Sequence, residues 1–335
     1  MTRREKRLWI LFGGVLLFLF LLSSTDLILK EKETEIYPIS VIIEDAADDS
    51  YINFRKGMER AAMEFNADVR FVTLYEDGNQ AQQEELMLRE QQDGSQALIV
   101  SPVDLDRVMK LRSEKRITVP VVLLNAEMSP AREKAAAALS FDYYGMGCVL
   151  GERILEEHGE EPQVYLIREE REDRITSRFQ EGILSVLEPA GSEISVIGRK
   201  KEELQRQIEA LTEELSAGQE TGAQESAPQA VFVALDPVSL SETARILAER
   251  EEVFSLVGGL YGRGTAVPVL NYLDKGIIRG LCVTDDFSMG YLSVKEAVEL
   301  AGGHSVSDMG YLDSHYIQKE DLRKETYEKM LYPIE

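Results

Sequence analysis

The sequence predicts an α/β protein of two successive units with parallel sheets, preceded by one N-terminal membrane-spanning helix. Three observations carry this. Short apolar runs alternate with amphipathic helical stretches from residue 37 onward, the pattern that gives parallel strands with helices on both faces. The alternation restarts near residue 140 with similar grammar but no detectable sequence repeat. A long apolar stretch, residues 8–29, follows a basic start.

The N-terminus comes first. "MTRREKR" carries Arg3, Arg4, Lys6 and Arg7, and "LWILFGGVLLFLFLLSSTDLIL" carries one charge, Asp26. A bilayer core takes about 20 apolar helical residues. The basic flank stays in the cytoplasm, which places everything after Lys30 outside the cell membrane. Trp9 sits where an indole favours the inner interface. The length of the stretch and the lack of an A-x-A site after it favour an uncleaved signal anchor over a signal peptide. No Cys follows it to take a lipid. The expected order is a basic tail (1–7), the anchor (8–29) and a charged stalk (30–36).

In the first unit, "ISVIIE", "VRFVTLY", "QALIVSP" and "VPVVLLN" read as strands. The helices between them are "NFRKGMERAAMEF", "NQAQQEELMLREQQ" and "LDRVMKLRSEK". In the second, "AAAALSFD" leads to "YYGMGCVLGERILEEH", and "QVYLIRE" to "RITSRFQEGILSVLE". "SEISVIG" leads to a helix over about 201–216, and "AVFVALD" to "SLSETARILAER". "FSLVGGL" leads to "GTAVPVLNYLDKG", and "IRGLCVTDD" to "SMGYLSVKEAVELAG". The stretch 216–230, rich in Gly, Ala, Ser, Gln and Glu, reads as a disordered insertion.

The balance of residues excludes several function classes. A net charge of −23 over 335 residues argues against nucleic acid as a partner, because phosphates would be repelled. The chain is 44% apolar, enough to bury two domain cores. Cys148 and Cys282 sit in apolar surroundings and read as buried thiols. No G-x-S-x-G, P-loop or G-x-G-x-x-G stands at a strand-to-helix turn, and His158, His304 and His315 have no nucleophile nearby. No enzyme, cofactor or metal is expected. Asp45, Asp48 and Asp49, after the first strand, do not fit a calcium loop and read as solvated turn acids.

Several phrases together resemble one family. They are "FRKGMERAAMEF", "QALIVSPVD" with "ITVPVVLLN", "FDYYGMGCVLGERI", "SRFQEGILSVL", "GIIRGLCVTDDFSMGYLSVKEAVELAGG" and the tail "YLDSHYIQKEDLRKETYEKMLYP". From residue 37 to the end the chain resembles the type I periplasmic binding proteins of the ribose- and galactose-binding group. That fold also forms the ligand domain of lactose-repressor-type regulators. The resemblance implies two Rossmann-like lobes joined by three hinge crossings, with a solute between them. Lobe one would be 37–139 plus 285–311, and lobe two 140–284 plus 312–335.

The resemblance also implies site residues. Asp48 falls at the polar position after the first strand and Tyr51 at an aromatic one. Asn125 ends the fourth strand, Asp142 opens the second lobe, and Asp236 and Asp285 end later strands. Arg178 lies one residue from the family's sugar-clamping Arg position, with Arg174 a second candidate. Leu235 and Leu260 stand where the family places polar contacts, which argues for a different ligand or none.

The expected function is a membrane-tethered extracellular protein that captures a small polar, sugar-like solute by lobe closure. Closure would be read by an ABC permease or a membrane sensor kinase. The alternative is a pseudo-binding protein, an interaction module whose cleft takes no solute. One prediction follows from sequence alone. Residues 8–29 should remain on the mature protein, as N-terminal sequencing of membrane-extracted material will show. A chain beginning near Ser24 or later would make it a secreted protein instead.

Overall fold

The structure is a computed structural model. It describes residues 2–24, 36–43, 51–76, 78–126, 136–159, 161–170, 173–199, 203–220, 230–306 and 310–332. Contacts separate a first unit, with helix α1 (Arg3–Ser24), from a body that starts at Tyr37. On α1, Leu8 is 71% exposed and Phe20 68%. Among the described residues no helix is long and apolar enough to cross a membrane. Part of the expected span, residues 25–29, lies outside them.

The body opens with strand β1 (Tyr37–Ile43), helix α2 (Tyr51–Phe65), β2 (Ala67–Thr73) and α3 (Gln80–Gln92). Next come β3 (Ala97–Val100), α4 (Leu105–Ser113), β4 (Val121–Leu124) and β5 (Ala136–Phe141). The chain crosses into α5 (Tyr143–His158), β6 (Gln163–Glu169), α6 (Arg174–Leu187), β7 (Glu193–Arg199) and α7 (Leu204–Glu220). It continues through β8 (Ala230–Ala234), α8 (Pro237–Glu249), α9 (Glu251–Leu256), β9 (Val257–Arg263), α10 (Val267–Asp274) and β10 (Ile278–Thr284). It returns through α11 (Asp286–Ala301) and β11 (Tyr311–Leu312), then ends with β12 (Ser314–Ile317) and α12 (Glu325–Leu331).

The strands form two six-stranded sheets, ordered β11-β5-β4-β3-β1-β2 and β12-β10-β9-β8-β6-β7. Every recorded pairing is parallel except β10 with β12. The inner strands β1, β3, β4 and β8 are almost wholly buried, as continuous apolar runs between two helical layers should be. In each sheet the order reverses beside one strand, β1 or β6, and such switch points form crevices at the strands' carboxyl ends.

Three crossings join the sheets, at Asp142, Asp285 and Asp313. The strands place the first and third slightly later than the resemblance implied: β5 runs to Phe141 and β11 to Leu312, both in sheet one. The Asp285 amide donates to the Asp313 carbonyl at 3.2 Å, so the second and third crossings are bonded to each other.

Two other expectations shift. The stretch read as a strand at "FSLVGGL" begins as helix α9, and β9 runs three residues further, to Arg263. Helix α7 continues to Glu220, so residues 216–220 of the expected insertion are helical. Residues 221–229 lie outside the described ones.

Each lobe has one helix pair in backbone contact. In lobe one α2 crosses α11, and a Cβ at Gly57 would fall on the Phe287 carbonyl while one at Gly290 would fall on that of Phe54. In lobe two α5 crosses α6, and a Cβ at Gly147 or Gly182 would fall on the carbonyl of Phe179 or Tyr144. Gly57→Ala and Gly147→Ala should each cost about 1–3 kcal/mol in denaturant melts, as overpacking does. At an open helical site the same change stabilises by ~1 kcal/mol. A neutral or stabilising result would mean the helices accept a wider separation.

Candidate functional site

A cavity of about 740 Å³ opens between the lobes at the carboxyl ends of both sheets. Its wall includes the residues at the two switch points: Ile43 and Ser101 beside β1 and β3, Glu169 and Asp236 beside β6 and β8. The first residues of five helices also reach it, Tyr51 of α2, Tyr143 of α5, Arg174 of α6, Pro237 of α8 and Asp286 of α11.

Asp286 is the most perturbed carboxylate here. Its Oδ1 accepts from the Thr284 hydroxyl at 2.8 Å and its Oδ2 from the Thr265 hydroxyl at 2.7 Å. Burial pushes it up to about 6; the two hydroxyls and the Arg263 charge oppose this, while neighbouring Asp285 adds to it. Arg263, the last residue of β9, has neutral partners: Nε donates to the Leu235 carbonyl at 2.8 Å and Nη2 to the Thr176 hydroxyl at 3.3 Å. Its guanidinium lies over the Tyr143 ring, 5.7 Å from the centroid. The Tyr143 hydroxyl donates to Asn125 Oδ1 at 2.9 Å, and burial holds that phenol far above its usual range. Tyr143 thus ties a lobe-one strand end to a lobe-two cation. Asn125 itself has φ of +51°, a left-handed conformation that asparagine tolerates better than most residues.

Tyr51, Asn125 and Asp236 are the sequence-expected residues that the cavity brings together. Tyr51 packs edge-on against Phe54, with centroids 5.9 Å apart. Asp236 lines the cavity, but its oxygens are engaged as the N-cap of α8. Oδ1 accepts from the Ser239 amide at 2.8 Å; Oδ2 accepts from the Ser239 hydroxyl at 2.6 Å and the Glu169 amide at 3.1 Å. Asp48 lies outside the described residues.

Asp142, Arg178 and Asp285 are not part of the cavity wall. Asp142 caps α5 by accepting from the Gly145 amide at 2.8 Å. Asp285 caps α11, taking the Ser288 amide at 2.9 Å and its hydroxyl at 2.6 Å. Both satisfy donors that the helix start leaves open. Arg178 sits one turn into α6, bonded to Glu181 at 2.7 Å and lying over the Tyr144 ring. Arg174, the second candidate, does line the cavity. Leu235 and Leu260 are core residues at 0% and 1% exposure, so neither removes a polar contact from the wall. The residues missed from sequence are Arg263, Asp286 and Asp173, the last being the N-cap of α6. The available signal was position: Arg263 and Asp286 flank strand-to-helix turns. Cys148 and Cys282 are both free, and burial pushes the Cys282 thiol up to about 12.

Residues 39–305 match the profile of a family described as periplasmic binding protein domain. The chain belongs to this family. Its members bind solutes and catalyse no reaction, and this binding protein has the type I arrangement of two α/β lobes. Solved binding proteins share the fold. GanP, a glucose-galactose binding protein from Geobacillus stearothermophilus, is 18% identical with a TM-score of 0.68, covering 87% of this chain and 100% of its own. A Bacillus halodurans C-125 ABC transporter solute binding protein with bound myo-inositol is 18% identical with a TM-score of 0.71, covering 89% and 99%. One from Agrobacterium vitis with bound D-fucose is 16% identical with a TM-score of 0.69, covering 88% and 100%. No curated protein sequence matches the chain.

The raised Asp286 carboxyl makes stability depend on pH. An unfolded aspartate titrates near 3.9. Between about pH 4 and 6 the folded state therefore holds the extra proton, and stability falls as pH rises. This contribution is complete below about pH 4 and gone once pH passes the folded value. Asp286→Asn should flatten that part of the profile in denaturant melts taken from pH 4 to 7.5. Parallel profiles for variant and wild type would show that the carboxyl titrates normally.

Proposed function

We propose that this binding protein captures a small polyhydroxylated solute, a sugar or close relative, in the cavity between its lobes. The observation that carries this is the pairing of Asp286 and Arg263 at the cavity wall, each held by neutral partners. Each Asp286 oxygen accepts one threonine hydroxyl and keeps a lone pair; Arg263 presents five donors and spends two in these bonds. Planar groups of this kind match neighbouring hydroxyls two at a time. The half-buried rings of Tyr51 and Tyr143 offer apolar surface to the C–H face of a sugar. The fucose, inositol and glucose-galactose proteins that share the fold support this solute class.

In this reading residues 8–29 tether the protein to the cell membrane, with the body outside. The exposed apolar side chains from Leu8 to Leu21 suit lipid. Lobe closure on the solute is the event a membrane partner reads, since closure is favoured only by contacts made to both lobes. The ABC transporter roles of the structural neighbours favour a permease. The tether favours a sensor kinase.

Thermal or denaturant melts test the solute. A sugar at a hundred times its dissociation constant should stabilise the protein by ~2.7 kcal/mol. Arg263→Ala should weaken binding by about ten- to a hundredfold, as losing hydrogen bonds to a charged group does. Asp142→Ala should leave affinity nearly unchanged yet cost ~1 kcal/mol of stability, as a lost cap does. An intact response in Arg263→Ala would remove that residue from the site. No response to any polyol would return the chain to the interaction-module reading.

A further inference from the structure

We infer that Asn53 is a positioning residue for solute capture: it latches the start of α2 in lobe one to the end of α12 in lobe two, and so sets the spacing of the lobes around the cavity. The latch goes beyond the sugar-binding reading and serves any solute that touches both lobes.

Asn53 is the third residue of α2, two positions after Tyr51 of the cavity wall. Its Nδ2 donates to the Leu331 carbonyl at 3.1 Å, in a part-buried bond that spans 278 positions of the chain. Helix α2 is a lobe-one element, packed on α11 and β2. Leu331 is the last residue of α12, and it and Met330 are buried with Ile317 and Leu322 in the core of lobe two. The last four carbonyls of a helix have no partner within it. Asn53 therefore satisfies, from the other lobe, an acceptor that α12 leaves open.

Two further side chains bond across the lobes, Asp286 to Thr265 and Tyr143 to Asn125. Asp286 and Tyr143 are each the first residue after a crossing, Asp285 or Asp142, close to a pivot where rotation displaces atoms least. The Asn53 bond joins two elements that no crossing connects directly, so it resists separation on its own account. Losing one such hydrogen bond shifts a balance between paired and separated lobes about two- to tenfold. A solute that needs both lobes binds the paired arrangement, and its apparent affinity falls with the fraction of molecules in that arrangement.

Pulsed dipolar EPR on the full chain in detergent, without solute, tests this. Spin labels go on Met63→Cys of α2 and Val196→Cys of β7, 73% and 53% exposed, in a Cys148→Ser background; Cys282 is 2% exposed and stays unlabelled. The doubly labelled parent should give one dominant distance. Asn53→Asp keeps the shape and puts an acid in the first turn of α2, where the helix dipole favours it. Ionised, it has no donor for Leu331 and faces the negative end of α12. Asn53→Asp and Asn53→Ala should each raise the share of longer distances about two- to tenfold, with melting curves verifying that both fold. Distributions that superimpose on the parent's in both variants would overturn the inference. A fall in melting temperature for Asn53→Ala with no change in distance would overturn it too, since the side chain would then serve α2 alone.

Discussion

Two helix pairs touch backbone to backbone, and the site's geometry depends on that contact. Gly57 and Gly290 each meet the partner helix's backbone where α2 crosses α11, and Gly147 meets Gly182 where α5 crosses α6. Each lobe pairs the helix that enters it from a crossing (α11 or α5) with the helix that follows its switch-point strand (α2 or α6). In both entering helices the glycine lies five residues after the capping aspartate, Asp285 or Asp142. A glycine in a helix costs about 1 kcal/mol against alanine. The return is close approach, with dense packing and room for Cα–H···O contacts. It also fixes where four helices begin. Tyr51, Asp286, Tyr143 and Arg174 are the first residues of those helices, and all four stand in the cavity wall.

The acids of this chain are used for another purpose. Asp104, Asp142, Asp173, Asp236 and Asp285 each cap the helix that follows, accepting from an amide three residues on. A carboxylate there satisfies an open donor and sits at the positive end of the helix dipole. Two of the caps, Asp142 and Asp285, are also crossing points between the lobes. The crossings are therefore hydrogen-bonded turns, so a closing motion has firm helix starts on which to pivot.

This explains what was legible in the sequence and what was not. The alternation of apolar runs with helical stretches identified nearly every strand, because these strands are buried on both faces and read as continuous runs. The strand-end rule found the right loops. It could not tell a cap from a ligand, because both are acids at a strand's carboxyl end. At "TDD" the first aspartate became the cap and the second entered the cavity, a choice set by where the helix starts. At "FSLVGGLYGR" the apolar run began as a helix, so phasing a strand from Phe254 put its end at Leu260 and hid Arg263. Arg178 lies outside the cavity wall for a related reason: one turn along α6, it reaches Glu181 and Tyr144 on the helix surface.

The cavity draws its charged groups from both lobes. Arg263, from lobe-two strand β9, and Asp286, from lobe-one helix α11, face the same cavity, and a solute that left either unpaired would lose about 1–3 kcal/mol. Tyr143 couples the two lobes. It is the first helical residue after the first crossing, its hydroxyl is held by Asn125 of lobe one, and its ring supports the Arg263 guanidinium of lobe two. A movement of one lobe against the other that broke the Asn125 bond would also disturb the surface on which Arg263 rests. Arg263 therefore reaches its working geometry only when lobe one is in place, which links the lobe-two cation to closure.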